Sequence, residues 1–195
     1  VQAAKPIDLT KHFSDPTKRM PDGDGAIEIS GELQEWHKVT LTLDGPFAHE
    51  LDKSPNPFTD YRMIVLFTHE SGQPSYEVPG YFAADGDAAN SAADKGTKWR
   101  AHLSPDKPGI WNYQVKFTKG TNVAVSDQAG EALAQFNGKS GNFTISQTSK
   151  TAPDMRAKGR LQYVGEHYLQ FAGTKEYFIK CGADAPENLF AYQDF

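Results

Sequence analysis

Trp99-Arg100-Ala101-His102-Leu103-Ser104-Pro105-Asp106-Lys107-Pro108-Gly109-Ile110-Trp111-Asn112-Tyr113-Gln114-Val115-Lys116-Phe117 is the stretch from which the fold is read. Trp99, Ala101 and Leu103 alternate with Arg100, His102 and Ser104. After Pro105-Asp106-Lys107-Pro108-Gly109, the residues Trp111, Tyr113, Val115 and Phe117 alternate with Asn112, Gln114, Lys116 and Thr118. A period of two places every second side chain on one face, so each half is a strand with one apolar face. Two such strands joined by a Pro/Gly turn predict a β-hairpin with an aromatic core face.

The same pattern extends outward. Val39, Leu41 and Leu43 alternate with Lys38, Thr40 and Thr42, and Asp44-Gly45-Pro46 is expected to end that strand. Ala26–Ile29 reads as a strand, and Tyr61–Phe67, apolar at nearly every position, as a central one. Tyr76–Phe82 reads as one short strand, with Pro79 placing it at an edge or bulge. Phe143 and Ile145 mark a further strand, while Val125–Asn137, rich in Ala and Leu, is the best helix candidate. Residues 1–25 are polar and read as an extended arm, 26–148 as the sandwich and 149–158 as a linker. In 159–195, Leu161–Val164, His167–Phe171 and Glu176–Lys180 form a three-stranded meander. Short strands at this spacing, separated by turns, make an all-β antiparallel sandwich.

Composition agrees. Of 195 residues 38% are hydrophobic and 12% aromatic, so the apolar material sits in large rings; seventeen Gly and twelve Pro supply turns. A net charge of −5 with no basic stripe argues against a nucleic-acid partner. No apolar run approaches the roughly 18 residues that a membrane span requires. The lone Cys181 cannot form an internal disulfide and reads as a small buried hydrophobe.

No catalytic signature is visible: no GxSxG, no HExxH, no paired CxxC and no phosphate-cradling loop. His12, His37, His49, His69, His102 and His167 are scattered without metal-ligand spacing and are expected at the surface or at strand edges. No metal site and no cofactor is therefore expected. Asp22-Gly23-Asp24-Gly25 and Asp85-Gly86-Asp87 each offer too few oxygens for calcium and read as solvated turns. Asn142-Phe143-Thr144 matches a glycosylation sequon. A sugar ring stacks on an exposed aromatic. Trp99 and Trp111 are in phase with the core, which leaves Trp36, Tyr81 and Phe82 as carbohydrate-binding candidates, Trp36 and Tyr81 ahead.

The series Trp36 with Val39–Leu43 and Gly45-Pro46, Asn56-Pro57-Phe58-Thr59-Asp60-Tyr61-Arg62, Val78-Pro79-Gly80-Tyr81-Phe82, Trp99-Arg100 and Gly109-Ile110-Trp111-Asn112-Tyr113 resembles the bacterial DUF5060 family over roughly residues 25–147. The resemblance implies an Ig-like, fibronectin-like sandwich at the front of secreted glycoside hydrolases. The tail, Gly159 to Leu189, resembles the segment that opens the catalytic (β/α)₈ barrel of those proteins, with Tyr177–Lys180 as its first strand. A barrel takes about 250 residues, so only its start is expected here. Asp184, Glu187 and Asn188 would follow that strand on the barrel's active face and contact substrate in the parent protein. A glycosidase needs two carboxylates across the scissile bond, about 5–10 Å apart, and only one side is present. The resemblance thus implies a non-catalytic accessory module that docks on its own catalytic domain in a secreted or periplasmic protein. A carbohydrate-binding module that holds polysaccharide through exposed aromatics is the alternative.

Overall fold

The computed structural model describes residues 13–179. The chain divides into two compact units, Val1–Thr148 and Ser149–Phe195. In the first unit one sheet orders its strands β1 (Ile27–Gly31), β2 (Val39–His49), β6 (Lys95–Leu103) and β5 (Tyr81–Phe82). The second orders β4 (Ser75–Pro79), β3 (Tyr61–His69) and β7 (Gly109–Lys119), with β8 (Glu131–Ala132) and β9 (Ser140–Ile145) both paired to the far edge of β7. Every pairing between these strands is antiparallel.

Register explains the core. Ile27, Leu43, Trp99 and Phe82 stand opposite one another in a row across all four strands of the first sheet. Leu41 faces Ala101, and Val39 faces Leu103. On the second sheet Met63 faces Phe117 and Val65 faces Val115. Cross-strand partners share a face, so each sheet presents one apolar surface to the other. Trp99 and Phe117 meet between the sheets with ring centroids 5.1 Å apart and planes at 85°.

The two halves of the opening stretch are strands, and their aromatic faces are buried, but they do not form a hairpin. β6 lies between β2 and β5, and β7 lies between β3 and β9. Ser104–Pro108 instead carries the chain across the core from one sheet to the other. Alternation reports which face is buried and is silent on which strand lies alongside. Pro105 and Pro108 lack the N–H groups that a hairpin ladder would use at its first rungs.

Three further expectations are corrected. Asp44-Gly45-Pro46 does not end β2; it forms a bulge, and pairing with β6 resumes at Ala48. The bulge seats Trp99, whose indole Nε1 donates to the Pro46 carbonyl at 3.0 Å. Tyr76–Phe82 is not one strand: β4 belongs to the second sheet and β5 to the first. The chain crosses at Gly80, whose N–H donates to the Met63 carbonyl at 2.8 Å and where a Cβ would press on the Met63 side chain. Val125–Asn137 is not a helix. Gly130 has φ +66°, which breaks a right-handed helix, and Glu131–Ala132 pairs with β7 instead. Among the described residues the single α-helical turn is α1 (Ala88–Ser91).

The described part of the N-terminal arm is tied down. The Gly23 and Gly25 N–H groups donate to the Gly45 and Asp44 carbonyls, each at 2.8 Å. Asp22 accepts from the Phe47 amide, and Asp24 from the Ala26 amide, both at 2.8 Å. That acidic turn therefore spends oxygens on backbone. In the second unit β10 (Leu161–Gln162), β11 (Leu169–Phe171) and β12 (Tyr177–Phe178) form an antiparallel meander.

A Cβ added at Gly45 would stand 2.5 Å from Trp99 Cδ1. Overpacking of this kind costs about 1–3 kcal/mol, and the ring has no room to yield. Gly45→Ala should lower the unfolding free energy by that amount, read as a lower urea midpoint with an unchanged m-value; an unaltered midpoint would show that the bulge does not seat the indole.

Candidate functional site

Alternation along the two residues of β5 sends Phe82 inward and Tyr81 outward. Phe82 is 8% exposed and packs on Trp99 at 5.2 Å, so it presents no free face. Tyr81 is 46% exposed and stands opposite Arg100 on the outer face of the first sheet. Its hydroxyl is 2.9 Å from His102 Nε2, and His102 Nδ1 is 2.9 Å from Thr40 Oγ1. Burial, with Lys38 and Arg100 nearby, holds the His102 pKa below the ordinary range. A neutral imidazole has one donor and one acceptor, so the Thr40 and Tyr81 hydroxyls take opposite parts in this relay.

Beside Tyr81 lies an open pocket of about 310 Å³, lined by Glu50, Tyr81, Ala84, Gly86, Asp87 and Arg100 among others. Arg100 Nε donates to Thr42 Oγ1 at 3.1 Å, which anchors the guanidinium against β2. Across Tyr81 a smaller hollow of about 150 Å³ is lined by Pro57, Phe58, Met63, Gly80 and Trp99. The Asn56-Pro57-Phe58 and Pro79-Gly80-Tyr81-Phe82 segments thus meet in space, with Phe58 edge-on to Phe82 at 6.4 Å. In the second acidic turn Asp85 accepts from the Asp87 amide at 2.7 Å. The Ser91 hydroxyl, then that amide, lower the Asp85 pKa.

One constellation escapes the sequence: Ser14, His49 and Asp94, far apart in the chain, converge. The Ser14 hydroxyl donates to Asp94 Oδ1 at 2.6 Å, and His49 Nε2 lies 3.1 Å from Ser14 Oγ and 3.4 Å from Asp94 Oδ2. The geometry is wrong for nucleophilic catalysis. His49 Nδ1 accepts the Leu51 amide proton at 3.0 Å, so the ring proton sits on Nε2, facing Ser14. A base must offer that hydroxyl a bare nitrogen. The trio is a clasp between the arm and the sheet. Burial raises the Asp94 pKa, but the Ser14 hydroxyl and amide together with His49 outweigh it and leave it lowered.

His37, His49 and His69 are buried, not at the surface as expected. His69 is held by Ser71 Oγ at 2.8 Å and the Pro108 carbonyl at 3.0 Å. Trp99 and Trp111 are buried, as their phase predicts. Trp36 is half-buried, its N–H bonded to the Pro105 carbonyl at 2.8 Å, and it does not line the Tyr81 pocket. Asp184, Glu187, Asn188, Cys181 and His12 lie outside the described residues. Among the described residues no group of His, Cys, Asp and Glu is arranged to hold a metal ion. None of their helices is long and apolar enough to cross a membrane.

Fold and site together define an all-β sandwich module with a small aromatic-walled pocket on one outer face. Residues 32–118 match the family model described as "Domain of unknown function (DUF5060)". The resemblance read from the sequence therefore holds over that stretch, slightly under half of the chain. The crystal structure of a putative glycoside hydrolase from Bacteroides vulgatus ATCC 8482 is similar at 22% identity and a TM-score of 0.44. The similarity covers 73% of this chain and 20% of that one, so this chain spans about a fifth of that protein's length. No curated protein matches.

The pKa shifts divide the acid response into two windows. His102, lowered in the folded state, lets the unfolded chain bind a proton first, so stability falls as pH drops below the ordinary value of 6.5. Asp44 and Asp94 are also lowered; their contribution is present above 3.8 and lost as pH falls through their folded values. For Asp44, burial opposes the shift, and the Lys98 and Thr97 hydrogen bonds overcome it. Urea unfolding across pH should show a first decline just below 6.5 that is absent in His102→Gln, while the decline below 3.8 persists. An identical first decline in the variant would assign that window to another group.

Proposed function

We propose that this chain is a non-catalytic accessory module of a larger secreted glycoside hydrolase, and that its C-terminal meander seats the catalytic domain. One observation carries this reading. The stretch 149–179 is under a fifth of the described residues, yet it holds more than half of their exposed large apolar side chains, including Leu161, Tyr163, Tyr168, Leu169, Tyr177 and Ile179. Register places Leu161, Leu169, Phe171 and Phe178 on one face of the meander, where Phe171 is buried and Leu161 and Leu169 stay exposed. Covering the apolar face of so small a sheet removes that surface from water and stabilises it. Concentrated exposed apolar surface marks an interface.

The non-catalytic part is supported by the Ser14–His49–Asp94 wiring, in which the imidazole turns its N–H and not a bare nitrogen toward the hydroxyl. The Tyr81 pocket favours a second, compatible role in ligand binding.

The chain alone should release no product from chromogenic glycosides or from plant and algal polysaccharides. A separately produced catalytic domain of the parent should be captured by the chain, and Leu161→Asp with Leu169→Asp should weaken capture at least about tenfold. Turnover by the chain alone would overturn the non-catalytic reading. Capture unaffected by the substitutions would overturn the seat.

A further inference from the structure

We propose that the pocket beside Tyr81 is a subsite for one neutral pyranose ring, with Tyr81 as its stacking wall and Arg100 as its principal hydroxyl-binding donor. This goes beyond docking of a catalytic domain and does not depend on it.

A single exposed tyrosine is ordinary. This one is held in place. The Thr40–His102–Tyr81 relay fixes the hydroxyl, and the ring tilts against the imidazole at 5.6 Å. A ring already held in one position loses little freedom when a ligand stacks on it. Its register partner is Arg100, so the aromatic wall and the guanidinium stand side by side on the sheet.

Arg100 has donors to spare. Only Nε is hydrogen-bonded, to Thr42; the Nη groups make no hydrogen bond among the described residues, although the guanidinium lies near enough to Asp85 to help lower that carboxyl's pKa. Gly86 keeps them clear: it has φ +88°, and a Cβ there would stand 3.0 Å from Arg100 Nη2. Fixed, unspent donors at the wall of a pocket suit a ligand rich in hydroxyl acceptors.

Charge selects the ligand class. Glu50 and Asp87 line the same pocket, so one cation faces two carboxylates. A uronate or a phosphate would meet net negative charge there. A neutral sugar meets no such penalty, because each hydroxyl donates to a carboxylate and accepts from the guanidinium at once. The volume, about 310 Å³, sits at the small end of ligand pockets, which begin at about 300 Å³, and suits one ring better than a longer chain.

The test is an amide and arginine-side-chain NMR titration of this chain with neutral gluco-, galacto-, manno- and xylo-oligosaccharides at millimolar concentration, beside the matching uronates. At least one neutral series should shift Tyr81, Gly86 and the Arg100 Nε–H together. Tyr81→Ala and Arg100→Ala should each weaken that binding at least about tenfold. Tyr81→Phe keeps the ring but cuts its tie to His102, and should weaken binding less than Tyr81→Ala. Gly86→Asn, a side chain that tolerates a positive φ better than a β-branched one and would stand against Arg100 Nη2, should abolish it. No neutral series shifting these residues, or uronates binding more tightly than neutral sugars, would overturn the proposal. So would binding that survives Tyr81→Ala in a variant with wild-type unfolding behaviour. Capture of the catalytic domain should be unchanged by Tyr81→Ala, so this proposal and the docking reading fail separately.

Discussion

The buried indole of Trp99 is the contact on which the rest of this molecule depends. It stands in the row Ile27–Leu43–Trp99–Phe82 across the first sheet and touches Tyr61 and Phe117 of the second, at 5.3 and 5.1 Å. Its Nε1–H is satisfied by the Pro46 carbonyl, so the large ring is buried without stranding its one donor. Losing a buried Trp or Phe side chain typically costs about 3–5 kcal/mol, against a total of about 5–15 kcal/mol for a domain. One side chain thus holds a large share of the free energy that keeps the two sheets together.

That contact also positions the pocket. With Trp99 directed inward, alternation forces Arg100 outward. With Phe82 packed on Trp99, alternation forces Tyr81 outward beside it. The crossing at Gly80 makes the pairing possible, because it moves the chain from the second sheet to the edge of the first after β4. The pocket is the outer side of the same register that builds the core, which is why its aromatic wall and its guanidinium are rigidly placed. The acidic loop then closes over them, with Gly86 leaving space where any side chain would fill it.

Much of this was legible in the sequence, and the failures have physical causes. Burial of Trp99, Trp111, Val115 and Phe117 follows from a period of two. The partner of each strand does not, since a hairpin and a crossing between sheets bury the same residues. The break at Pro79-Gly80 was visible as a bulge signal, but a change of sheet there depends on where β3 and β6 already lie. The sequence offers both Tyr81 and Phe82, with Tyr81 ahead; Phe82 keeps the phase of Tyr76 and Val78 and packs into the core, which leaves Tyr81 outward. Arg100 was legible as outward-facing, but its neighbours Glu50 and Gly86 arrive from distant parts of the chain. The Ser14–His49–Asp94 clasp has no local signature at all. Val125–Asn137 has a helical composition, and Gly130 with the open edge of β7 overrides it.

The pocket requires β6 and β7 to lie in opposite sheets, since otherwise Arg100 would lie beside β7 and not beside Tyr81. Backbone-to-backbone NOEs in the isotope-labelled chain test this directly. The structure predicts cross-strand NOEs linking Leu41 with Ala101, Tyr81 with Arg100 and Val65 with Val115, and none linking residues 99–103 with residues 111–117. A ladder of backbone NOEs between 99–103 and 111–117 would restore the hairpin and contradict both the sandwich as described and the pocket built on it.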